Sequence, residues 1–225
     1  AYHVSQLNYG ELGRHLEHAR TVLPGDAVLS MMAGVRHQAF ASSRVQASLA
    51  TVALPPGMTL NVGSRDRELA EARQAYRDAL ALDPGLVEAR IRLGRVLADE
   101  GKPAEAAGEL RAALAVAGEP MLQYLAALFL GEQETALGRL EDAAAAFERA
   151  RSVYPTAPSP HLAMSHLARA RGDRATAWEA LDRAMRLAAS RAADDPWWSF
   201  IASAGRMSDE WMAQVRRALA GEPPP

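Results

Sequence analysis

The chain has 225 residues, a formal net charge of −2, 49% hydrophobic and 23% charged residues. That balance gives no electrostatic reason to expect nucleic acid or an anionic membrane surface as partner. The absence of cysteine excludes disulfides, thiolate-bound zinc, iron–sulfur clusters and thiol catalysis, and no run approaches the roughly 18 apolar residues of a membrane span.

In chain order, a first helix is expected from about Val4 to Leu23, stopping at Pro24-Gly25. Asp26 is placed to cap the next helix, which starts at Ala27 with apolar Val28, Met31, Met32 and Val35. That helix is expected to break near Ser42-Ser43, with apolar residues returning at Val45, Leu49 and Val52. Pro55-Pro56-Gly57 forces a turn, since proline fixes its own φ and lacks an amide donor. Met58 to Gly63 is the one strand-like stretch and is expected as an extended surface loop. Ser64 caps a helix through about Leu82. Lys102-Pro103, Ser159-Pro160 and Asp195-Pro196 each put proline at a first helical position, where the missing donor costs nothing. Trp197, Trp198, Phe200 and Ile201 form an aromatic cluster, and Ser208 starts a last short helix with Trp211, Met212, Val215 and Leu219.

The strongest signal is self-similarity. Gly101, Gly138 and Gly172, 37 and 34 residues apart, each close a helix-like segment. Five residues after each stands Ala106, Ala143 or Ala177, then Leu110, Phe147 or Leu181, then Ala113, Ala150 or Ala184. A period of this length marks a solenoid of helix pairs, each burying its apolar face against its neighbours.

These residues resemble the tetratricopeptide repeat. Its first helix carries Leu-Gly between large residues, and its second carries Ala, an aromatic or Leu, then Ala. The clearest copy is Val87 to Pro120, with Leu93-Gly94, Leu97, Ala106, Leu110 and Ala113. Ala127 to Pro155 follows with Leu130-Gly131 and Phe147, and Ser159 to Leu187 with Met164-Ser165 in place of Leu-Gly. Upstream, Ala72, Tyr76, Ala79 and Pro84 match a second helix and Ala33-Gly34 its first. The chain as a whole is also similar to bacterial repeat proteins with an Asp-Pro-Trp-Trp segment, a likeness that supplies no activity. The resemblance implies an all-α fold: a right-handed superhelical solenoid of antiparallel helix pairs with a C-terminal capping pair. Residues 1–225 read as one such array. Degenerate repeats occupy 1–65 with a loop at 53–65, regular repeats 66–191, the cap 192–220 and a tail 221–225.

The resemblance also implies a groove lined by the first helix of each pair. Transferred repeat by repeat, the expected partner-binding residues are Met31, Met32, Arg92, Arg95, Leu128, Phe129, Glu132, His166 and Arg169. Leu128 and Phe129 make the apolar middle and the arginines flank it. Some members of the family clamp a peptide's terminal carboxylate with Lys and Asn. The matching positions here carry Ile91, Arg95, Phe129, Ser159 and Ala163, of which only Arg95 could contribute.

Chemistry is sparse. No phosphate loop, nucleophile elbow or zinc-protease motif occurs. His15 and His18 share a helix face, but a metal needs a third ligand and none is near in sequence. Asp194-Asp195 and Asp209-Glu210 lie at helix starts, where capping explains them. The reading is a non-enzymatic protein-interaction scaffold with no cofactor or metal, binding a protein or peptide segment and neither nucleic acid nor a membrane. The alternative is a structural subunit that self-associates or packs through its terminal repeats. The chain begins at Ala1, as a mature exported protein or a trimmed chain would; a periplasmic or extracellular location is slightly favoured over a cytoplasmic one.

Overall fold

A computed structural model describes residues 9–43, 45–47, 62–190, 195–197 and 200. Among them the regular structure is helical, with no strand. The described residues divide into two compact units, one running to Ala89 and one beginning at Arg90.

The first unit holds α1 (Tyr9–Val22), α2 (Ala27–Phe40) and α3 (Arg65–Leu82). Asp26 caps α2 as expected, its carboxylate accepting from the Val28 and Leu29 amides at 2.8 and 3.0 Å. Leu16 and Ala19 of α1 pack with Leu29, Met32 and Ala33 of α2. Ser64 accepts from the Arg67 amide and starts α3. Only residues 62 and 63 of the strand-like stretch Met58–Gly63 are described, and they are not helical. Their return into α3 is tied down twice: Glu68 accepts from the Gly63 amide at 2.6 Å, and the Gln46 amide donates to the Gly63 carbonyl at 3.2 Å. The other oxygen of Glu68 meets His37 of α2 at 2.7 Å, joining the two helices.

Next comes α4 (Val87–Asp99), which enters the second unit at Arg90, and then α5 (Pro103–Val116), α6 (Pro120–Ala136), α7 (Leu140–Val153), α8 (Pro158–Ala170) and α9 (Arg174–Ala189). Gly101, Gly138 and Gly172 end first helices with φ of +75°, +73° and +78°, the left-handed turn that glycine adopts without a Cβ penalty. Each turn satisfies an orphan carbonyl: the Lys102, Arg139 and Asp173 amides donate back to the carbonyls of Leu97, Glu134 and Ala168 at 2.8–3.0 Å. Pro103 and Pro120 open their helices. At α8 the expectation shifts: Pro158, not Pro160, is the opening proline. Pro160 falls in the first turn, where amides have no intrahelical partner in any case.

Within each pair, glycine lets two helices touch. A Cβ on Gly34 would stand 2.5 Å from the Tyr76 ring, on Gly94 2.7 Å from Leu110, and on Gly131 2.4 Å from the Phe147 ring. The alanines beside these contacts are sealed: Ala72, Ala106 and Ala143 are each 0% exposed. The fourth pair has Ser165 at the glycine position. Its hydroxyl donates to the Ala177 carbonyl at 2.7 Å, so the polar atom brought into the contact is satisfied there.

This packing predicts the stability of three variants. Gly131→Ala places a methyl inside the Phe147 ring's volume and should lower stability by about 1–3 kcal/mol. Gly108→Ala, in the interior of α5 with open space around the added carbon, should raise it by about 0.5–1 kcal/mol. Ala143→Leu should cost about 1–3 kcal/mol, since α7 meets α6 at that buried position. Thermal or urea unfolding of the three variants checks all of them; equal stability of Gly131→Ala and Gly108→Ala would mean the close contact does not set the pair.

Candidate interaction face

The first helices of the second unit, α4, α6 and α8, bring the candidate residues together. Their spacing puts Arg92 and Arg95 of α4 next to Leu128, Phe129 and Glu132 of α6. Arg95 pairs with Glu132 at 3.1 Å, and its guanidinium carbon lies 4.4 Å from the Phe129 ring centroid. Both contacts join neighbouring first helices through this one side chain. Burial pushes the Glu132 carboxyl above the usual carboxylate range; Arg95 opposes the shift and Asp99 adds to it.

Phe129 is 0% exposed and Leu128 2%. The Phe129 ring is covered in part by Phe200, whose centroid lies 5.8 Å away with the rings tilted at 49°. Phe200 in turn lies beneath the Arg92 guanidinium, 4.4 Å from its centroid. Arg92 is itself buried. An arginine, a phenylalanine of the C-terminal segment and a phenylalanine of α6 therefore stack in one column, with cation–π and aromatic contacts in series.

Five residues before Phe200, Asp195 makes a second anchor. Its carboxylate accepts from the Tyr124 hydroxyl at 2.7 Å, from the Ser159 amide at 3.0 Å and from the Trp197 amide at 3.0 Å. Burial, with Asp195 adding to it, holds the Tyr124 phenol far above its usual range, so it stays protonated and donates. Tyr154 packs edge-on against the Tyr124 ring with centroids 5.1 Å apart. Pro196 and Trp197 begin a helical turn for which Asp195 is the cap, as the Asp-Pro pair implies.

The sequence-derived residues thus separate into groups. Arg92, Arg95, Leu128, Phe129 and Glu132 lie together. His166 and Arg169 are exposed on α8. Met31 and Met32 are in the first unit, 1% and 4% exposed, with Met32 packed in its core. Tyr124, Asp195 and Phe200 were not among the expected residues. Asp195 carries a cap signal, which shows that a helix begins there but not what the carboxylate's other oxygen meets. Of the expected C-terminal cap at 192–220, the described residues Asp195 and Phe200 lie against α4, α6 and the start of α8. Pro196 and Trp197 are described with them; Trp198, Trp211 and the remainder of 192–220 lie outside the described residues. On α9, Trp178 and Met185 are 68% and 63% exposed.

His18 is exposed on α1, and among the described residues no group of three or more His, Asp or Glu is arranged to hold a metal. Among the described residues no helix is long and apolar enough to cross a membrane.

Residues 65–129 match the tetratricopeptide repeat family model. No curated protein matches the sequence. The fold is similar to that of MamA, residue 41 to the end, from Desulfovibrio magneticus RS-1, at 20% identity over 84% of this chain and 91% of that one, with a TM-score of 0.63. It is also similar to PilW, described as a widely conserved type IV pilus biogenesis factor, at 19% identity over 96% and 88% of the two chains, TM-score 0.63. A third similar structure is the Cut9–Hcn1 hetero-tetramer of the APC/C, at 18% identity over 86% of this chain and 31% of that one, TM-score 0.61. Residues 65–129 carry the tetratricopeptide-repeat family's sequence signature, and the helix pairs with their glycine contacts give the described residues the fold of such repeats.

Proposed function

We propose that the protein is a non-enzymatic interaction module that holds a segment of a partner protein on the first-helix face of its second unit. The observation that carries this reading is the column of Arg95, Phe129, Phe200 and Arg92: this face already holds a peptide segment that lies outside the repeats, through aromatic and arginine contacts. Such side chains are the usual energetic anchors of protein interfaces. Of the expected contact residues, Arg95, Glu132, His166 and Arg169 retain exposure and would meet a partner first, while Arg92 and Phe129 would be reached only when Phe200 moves; Leu128, 2% exposed, would support the face from beneath. Met31 and Met32 would contribute through the first unit, as support beneath its surface. The fold neighbours lend support of one kind: Cut9–Hcn1 is a hetero-tetramer, so a protein of this fold takes part in a stable complex.

A second reading has its own observation. Trp178 and Met185 stand one heptad apart on α9, with Leu162 of α8 43% exposed. Large exposed side chains on the last described helix pair suit packing against another repeat, in a second copy or in a larger assembly.

The two readings predict different outcomes. A photo-cross-linker at Glu132 or Arg169, in the source cell, should capture a partner protein that the same group at Arg149, exposed on the second helix α7, does not. Capture from Arg149 alone would reject the first-helix face. Arg169→Ala should lower the association rate at low salt with little effect at high salt, because water and ions screen an exposed charge. For the second reading, Trp178→Ala should abolish any concentration-dependent increase in mass seen by sedimentation. A wild-type chain that stays monomeric across concentration would exclude self-association.

A further inference from the structure

We infer that Asp195–Phe200 is a resident ligand of the first-helix face, and that the partner is a protein segment offering the same two groups: a carboxylate and, five residues on, an aromatic ring. The inference rests on the reading of this face as the partner site. Its basis is how specifically each group is received. The Asp195 carboxylate, 7% exposed, is met by donors from two separate helices: the Tyr124 hydroxyl of α6 and the Ser159 amide at the start of α8. A buried carboxylate is tolerated only where such donors are in place. The Phe200 ring, also 7% exposed, fits between Phe129 and the guanidinium of Arg92. The receiving residues all belong to the repeats, whereas the two groups received lie beyond α9, the last described helix of the repeat pattern.

The chemistry of the occupant defines the chemistry of its competitor. A neutral apolar segment would leave the Ser159 amide without its acceptor and Tyr124 without the carboxylate it donates to. A purely acidic one would leave the Phe129 ring uncovered. Only a segment with both groups replaces the contacts of Asp195 and Phe200 that it displaces. Because the resident is tethered, it competes at a fixed local concentration, and the face binds a foreign segment weakly until the tethered one is released.

The probe is a labelled synthetic peptide copying residues 194–201, added to the full-length chain. Phe200→Ala should bind it about tenfold or more tightly than wild type, the factor expected when a site open about a tenth of the time is held open. A peptide with its Phe replaced by Ala, or with both acids amidated, should bind the variant more weakly by about the same factor, and so should the peptide on Phe200→Ala carrying Tyr124→Phe. Circular dichroism of each variant checks its fold. Asp195→Asn, which keeps shape and loses the charge, serves as a second releasing variant and should show the same direction. Equal binding to wild type and both releasing variants would overturn the inference, as would equal binding of the stripped peptides. Cross-linking from Glu132 separates this result from the broader reading. A partner captured equally by wild type and Phe200→Ala rejects the resident ligand and keeps the face. Peptide binding to the released variant with no protein captured from Glu132 keeps the socket and rejects the partner site.

Discussion

Everything on the first-helix face depends on how closely two helices approach within a repeat. Ordinary helix packing keeps axes 8–10 Å apart according to the side chains between them. At Gly34, Gly94 and Gly131 the first helix offers no side chain, and Tyr76, Leu110 and Phe147 press onto its backbone, each 2% exposed or less. That contact sets the rotation of the first helix, and the rotation decides which residues leave the pair for the open face. Arg92, Arg95, Phe129 and Glu132 reach one another only because α4 and α6 are turned alike. The fourth pair shows the constraint relaxed. Ser165 fills the glycine position and spends its hydroxyl on the Ala177 carbonyl, and Leu181, the counterpart of Phe147, is only half-buried.

What the sequence made legible follows the same logic. Periodicity reports contacts within a repeat and between neighbours, because those recur at fixed spacing. The left-handed glycines, the buried alanines, the Asp26 cap and the assignment of Ala33-Gly34 to a first helix could all be read this way. A contact made once leaves no periodic trace. Asp195 meets Tyr124 across 71 residues, and nothing in the spacing of either marks the other. The segment was expected to close the end of the array because Trp197, Trp198 and Phe200 are apolar and come last. Apolarity says that a segment must be covered, not by what. The proline at α8 failed for a smaller reason: Pro158 and Pro160 both fit a first turn, and only the backbone chooses between them.

Burial also changes what the arginines do. Read from sequence, Arg92, Arg95 and Arg169 are three similar charges flanking a groove. In the structure they differ in hydration. Arg169 is exposed and acts at long range, where salt screens it. Arg95 holds Glu132 and lies on Phe129, so it ties two repeats together. Arg92, 5% exposed over Phe200, contributes through the geometry of stacking. A guanidinium suits this position better than an ammonium would, since it is planar and weakly hydrated. On the proposed interaction face, exposure would give attraction to Arg169 and recognition to Arg92.

An internal occupant is a physically reasonable companion to such a face. Without Asp195 and Phe200, the Phe129 ring and the Tyr124 hydroxyl would lose their cover, and exposed apolar surface promotes unwanted association. Covered by Asp195 and Phe200, its donors are satisfied and its ring is shielded. The cover must then be weak enough to leave. Two separate anchors, Asp195 and Phe200, suit that condition, because each adds only a modest stabilisation. The same economy explains why the receiving residues are divided among α4, α6 and α8. No single helix holds the segment, and on the inference above a partner that engages one anchor would begin to displace the resident before the other has let go.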